Sequence, residues 1–190
     1  MPYYEFYNLP TTEPWPPIPT AITPEAKRGL KGANQFSEKS EEVEISVMTV
    51  TNPSPSGWIG SGPDNFAFSI RRRVKDHTKG KKTDLTNIAV GDLLLYRLAL
   101  MSTTPGWTCQ SSAKDRWPKA YLEFGHQTQV VLKYSLERIV IDRWNLELHP
   151  KHQGSGEAHE TLLFRAWVIT QERKSGNPLK ISLGNSVSIV

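Results

Sequence analysis

Apolar residues recur at every second position over several stretches of this chain. Val43, Ile45 and Val47 alternate with Glu44, Ser46 and Met48, the signature of a half-buried strand. Phe66, Phe68 and Ile70 repeat the pattern after the Asn52–Gly57 turn cluster and a loop reaching Asn65. From Lys119 onward the spacing is again strand-like: Ala120, Leu122 and Phe124; Val130, Leu132 and Tyr134; Ile139 and Ile141, with Trp144, Leu146 and Leu148. Leu162, Phe164, Ala166 and Val168 continue it, and Leu179, Ile181 and Leu183 follow the Gly176-Asn177-Pro178 turn. One segment differs. Thr83 or Asp84 can cap a helix with Leu85, Ile88 and Ala89 at helical spacing; Asp92 restarts it before Leu93, Leu94, Leu95, Leu98 and Met101. Being apolar around most of its circumference, this helix is expected in the core. The predicted fold is α+β: a mostly antiparallel β-sheet with one central buried helix and an extended Pro-rich N-terminal arm.

The arm carries seven prolines between Pro2 and Pro24, which remove backbone donors and block helix. Its aromatic and apolar members, Tyr3, Tyr4, Phe6, Tyr7, Trp15, Pro16, Pro17 and Ile18, suit docking on a neighbouring subunit or on a host Pro-rich-motif-binding domain. Residues 1–40 are therefore predicted to be a flexible arm and linker, and 41–190 a single domain.

Composition sharpens this picture modestly. The chain has 190 residues and a formal net charge of +4. Its longest apolar stretch, Ile88–Met101, is interrupted by Gly91, Asp92 and Arg97, and falls short of the roughly 20 residues a membrane-spanning helix needs. The first residues do not form a secretory signal, and the single cysteine, Cys109, cannot form an internal disulfide, which fits a reducing compartment. The charge is unevenly placed: Arg71, Arg72, Arg73, Lys75, Lys79, Lys81 and Lys82 fall within twelve residues, relieved by Asp76. Such a run is a candidate polyanion site, for lipid headgroups or RNA phosphates. Trp58 and Ile59, in a Pro/Gly loop, are candidates for insertion into a membrane or partner.

Catalytic signatures are missing. His149, His152 and His159 with Glu157 and Glu160 occupy what reads as a flexible glycine-containing loop, without the fixed geometry a zinc site needs. The carboxylates from Glu38 to Glu44 read as a solvated face, and neither a nucleophile elbow nor a phosphate-binding loop is present. The expectation is a protein that is not an enzyme, with no cofactor and no metal.

The order of elements resembles the matrix proteins of rhabdoviruses, small basic proteins with a proline-rich arm ahead of one α+β domain. Leu95-Tyr96-Arg97-Leu98-Ala99-Leu100-Met101-Ser102-Thr103 looks like their core helix and following loop. Thr161–Lys174 and Leu179–Val190, joined through Ser175-Gly176, look like their C-terminal pair. The N-terminal lysine-rich run and the PPxY motif of that family are absent, so the resemblance gives the basic role to Arg71–Lys82. It implies a protein of the virion, the host cytoplasm and the inner face of host membranes, with the nucleus as a further site. Such a protein would self-associate and bridge a nucleoprotein-RNA complex to an anionic membrane during budding. The alternatives are an RNA-binding viral accessory protein and an enzyme without readable motifs.

Overall fold

The structure, a computed structural model, describes residues 1–9, 36–50, 65–78, 82–103, 107, 118–126, 129–173, 179–182 and 186–189. They form nine strands: β1 (Tyr3–Tyr7), β2 (Phe36–Lys39), β3 (Val43–Val50), β4 (Asn65–Val74), β5 (Lys119–His126), β6 (Gln129–Pro150), β7 (Gly156–Arg173), β8 (Leu179–Ser182) and β9 (Ser186–Ile189). The main sheet runs β2-β1-β5-β6-β7-β4-β3, with every pairing antiparallel; β8 continues from β7 beside β4, and β9 follows β8.

The α+β expectation is corrected by this arrangement. The segment read as a central helix holds two 3₁₀ turns, Leu85–Asn87 and Val90–Asp92, and one eight-residue helix, α1 (Leu94–Met101). Two short polar side chains divide it. Asp84 accepts from the Thr86 N–H at 2.9 Å, and Asp92 reaches back to the Ala89 N–H at 2.9 Å, so each closes its own turn. α1 is buried through Leu95, Leu98 and Met101, but it covers a core that the strands build.

The sheet curls until its end strands meet. β2 and β3 are joined by the turn at Ser40–Glu42, whose Ser40 N–H bonds to Pro2 beside β1, while Glu42 accepts from the Arg73 N–H of β4. Across the interior Phe6 of β1 packs edge-on against Phe164 of β7, ring centroids 5.4 Å apart, although β5 and β6 lie between them in the sheet. Phe68 stacks on Phe164 and meets Tyr134 edge-on. Each such fully buried side chain contributes roughly 1.5–3 kcal/mol from burial.

Three readings along the chain need correction. Tyr3–Tyr7 belongs to no extended arm: β1 lies between β2 and β5, and Tyr4 and Phe6 are fully buried. The polar and apolar alternation at its aromatics was the stronger signal than the nearby prolines. The segments from Val130 and from Ile139 are one strand, β6; of the histidine-containing stretch read as a loop, His149, Glu157, His159 and Glu160 lie on the paired ends of β6 and β7, while His152 sits in the turn between them. Trp15, Pro16, Pro17 and Ile18 lie outside the described residues.

Candidate contact surface and the buried ion cluster

Alternation continues through the basic run, and this divides it. β4 places Phe68, Ile70, Arg72 and Val74 inward and Arg71 and Arg73 outward. Arg72 is only 3% exposed. Its Nε donates to Glu38 of β2 at 2.8 Å and its Nη1 to Glu160 of β7 at 2.9 Å. Burial works against the guanidinium charge, but Glu38 and Glu160 outweigh it, and the net effect is to raise the group's pKa.

Glu160 is the hub. Its Oε1 accepts from Arg72 and from the Leu95 N–H at 3.0 Å; its Oε2 accepts from the Tyr96 N–H and Trp144 Nε1, both at 3.1 Å. A fully buried carboxylate thus receives four donors, two of them from the otherwise unpaired first turn of α1. Tyr4 of β1 donates its hydroxyl to Glu38 at 2.9 Å, and burial together with the Glu38 charge holds its pKa well above the usual phenol value. The cluster ties β1, β2, β4, β6, β7 and α1 together where the sheet closes. Glu38 is therefore no part of a solvated face, unlike the exposed Glu41, Glu42 and Glu44.

Arg71, Arg73 and Lys75 sit on the outer face among carboxylates. Arg71 lies 3.6 Å from Glu44 and 3.4 Å from Glu147; Arg73 lies 3.4 Å from Glu42, and Lys75 3.0 Å from the same residue. Lys82 is exposed. Lys79, Lys81, Trp58 and Ile59 lie outside the described residues. Arg72 cannot serve as a polyanion contact, because it is enclosed and already holds two anions. After β4, Asp76 fixes the chain by accepting from the Thr78 and Asp84 N–H groups at 2.8 and 2.6 Å.

Reading by residue type overlooked the edge of β6. β7 pairs with β6 from Leu132 to Pro150, whereas β5 pairs with it only from Gln129 to Glu137. The β5 ladder stops where Pro118, which has no N–H, accepts from the Arg138 and Ile139 N–H groups. Trp107 Nε1 caps the Ile139 carbonyl at 3.1 Å. Beyond Ile139, no strand among the described residues pairs with that side of β6. The bulge between Ile141 and Arg143 precedes a regular stretch in which Arg143, Asn145, Glu147 and His149 face outward, opposite Leu163, Thr161, His159 and Glu157. Leu148, on the other side, is 50% exposed.

The outer histidines are strand residues. The His149 and His159 rings meet at 6.0 Å, and burial, followed by the nearby Arg71 charge, holds the His159 pKa below its ordinary value. Lys151 binds Glu157 at 2.7 Å across the hairpin end.

No helix among the described residues is long and apolar enough to cross a membrane. No protein-family model matches the chain, and no curated protein matches it. Two solved structures resemble it over nearly their whole length. One is an Hcp protein, 16% identical, with a TM-score of 0.42 over 97% of this chain and 99% of the other. The second is a double tryptophan mutant of Hcp1 from E. coli EAEC 042, 12% identical, with a TM-score of 0.44 over 96% and 99%. A likeness this shallow carries no argument for what the chain does. These neighbours are Hcp proteins and not rhabdovirus matrix proteins, and the helix-centred layout that carried the matrix resemblance is not the fold. The viral matrix and RNA-binding accessory functions, and the virion and host-membrane location, are corrected accordingly. The nucleoprotein partner rested on that resemblance and falls with it; the membrane and host-domain partners, read from the basic run and the proline-rich arm, are unsupported by these neighbours.

Proposed function

We propose that this chain is a structural protein that works by associating with copies of itself, without catalysis of its own. The observation that carries the reading is the side of β6 beyond Ile139, which offers backbone donors and acceptors to an incoming strand. Edges of this kind are normally blunted by proline, charge or a bulge. Here the bulge at Ile141/Arg143 and Pro150 stand at the two ends and leave the stretch between them regular. The buried polar groups support the absence of catalysis: Arg72, Glu38, Glu160, Tyr4 and Trp144 use their hydrogen-bonding capacity on one another and on α1.

Light scattering coupled to size exclusion, across protein concentration and ionic strength, tests the reading. The expected result is an assembly larger than one chain whose population rises with concentration. A monomer at every concentration would overturn it.

A further inference from the structure

Along the open side of β6 the charge order Arg143, Asn145, Glu147 is complementary to its own reverse. We infer that two copies pair antiparallel through Arg143–Glu147 of β6, about a two-fold axis passing through Asn145. This rests on the self-association reading above and specifies its contact.

In an antiparallel pair centred on Asn145, Arg143 of each copy stands opposite Glu147 of the other, and the two Asn145 side chains face each other. All three positions lie on the outer face, where Arg143 and Asn145 are exposed and the Glu147 side chain is 42% exposed. Glu147 keeps its Oε2 contact with Arg71, so a second arginine would complete a guanidinium–carboxylate–guanidinium row. On the inward side Trp144 stands opposite Leu146 of the other copy, both already packed on the apolar cluster around Val74, Leu93 and Ala158. The half-exposed Leu148 gains cover at the end of the paired stretch.

Among the two-fold registers along this stretch, that centred on Asn145 is the one that sets both Arg143 and Glu147 opposite an opposite charge. Centring the pair on Arg143 or Glu147 instead would set like charges directly opposite each other, which is unfavourable across strands. An isologous pair of this kind closes on itself and joins two sheets into one continuous sheet.

The test exchanges the charges. Arg143→Glu sets two carboxylates opposite each other at both ends of the pair, and Glu147→Arg sets two guanidinium groups there. Each variant alone should weaken the dimer about tenfold or more by sedimentation. Mixed in equal amounts, they restore both opposite-charge pairs, and the heterodimer should form with near wild-type affinity. Since Glu147→Arg also meets Arg71, a second measurement stands beside it. Asn145→Cys in a Cys109→Ser background should form an inter-chain disulfide on mild oxidation, whereas Asn87→Cys, exposed elsewhere, should not. If the wild type assembles but Arg143→Glu leaves the assembly unchanged and the Asn145→Cys variant fails to cross-link, the β6 contact is overturned while self-association stands. If the wild type is monomeric throughout, both fall.

Discussion

Arg72 and Arg143 occupy inward and outward positions on neighbouring parts of one sheet. Around Arg72, charges are enclosed and matched: one guanidinium lies between Glu38 and Glu160, and Glu160 also holds the first turn of α1 and the Trp144 indole. Around Arg143 the β6 edge is exposed, and its charge order complements a second copy of itself. The same residue types do different work because one set closes the fold and the other borders the side of β6 that no strand among the described residues pairs with. Burial makes the first set costly to disturb, while solvent makes the second cheap to change within one chain.

Changes at the enclosed site should therefore dominate. Replacing Arg72 by Met leaves two buried carboxylates without their cation and should cost about 3–5 kcal/mol in urea unfolding. A loss below about 1 kcal/mol would mean that the cluster does not hold the closure. Trp144→Phe removes one donor to Glu160 and keeps a ring beside Tyr96, and should cost about 1–3 kcal/mol by the same measurement.

Alkaline titration gives a smaller handle on the same end of β1. The Tyr3 pKa is pushed up to about 12, first by burial and then by its hydrogen bond to Glu5, and Tyr4 is also raised. A raised folded-state pKa stabilises the fold below the ordinary phenol value near 10; that contribution disappears as pH rises through the folded value. Stability should decline from about pH 10 upward. Tyrosinate absorbance should lag behind that of the unfolded chain until the circular dichroism signal is lost. A full tyrosinate signal near pH 10 with an intact fold would contradict the enclosure of β1. Smallest of all, Arg71→Ala breaks only outer-face pairs, and its thermal unfolding should shift by no more than about 0.2–1 kcal/mol.

Much of the sheet was legible from alternation. β3, the apolar half of β4, β5 and β7 follow the period of two, and Val43, Ile45 and Val47 pair with Arg72, Ile70 and Phe68 in the register that period implies. The same alternation, carried one step beyond the apolar letters, would have found the ion cluster: Arg72 continues Phe68 and Ile70, and Glu160 precedes Leu162 and Phe164. Grouping residues by charge hid it, because a run of basic letters invites one surface although consecutive strand residues point to opposite faces. The helix was overextended for the complementary reason. Its apolar positions fit a helical period, but Asp84 and Asp92 each bond to a nearby backbone N–H and divide the segment into turns.

The sequence by itself determined β3, the apolar half of β4, β5 and β7 with their inward faces, because these depend on spacing between near neighbours. Tertiary structure alone decided that β1 joins the sheet, that Glu38 and Glu160 meet across Arg72, and that β6 outruns β5. Those features depend on contacts between positions as far apart as 34 and 88 residues. No local period records which strands become neighbours or where one strand's partner ends. That pairing decided which charges are spent inside the fold and which remain at its edge.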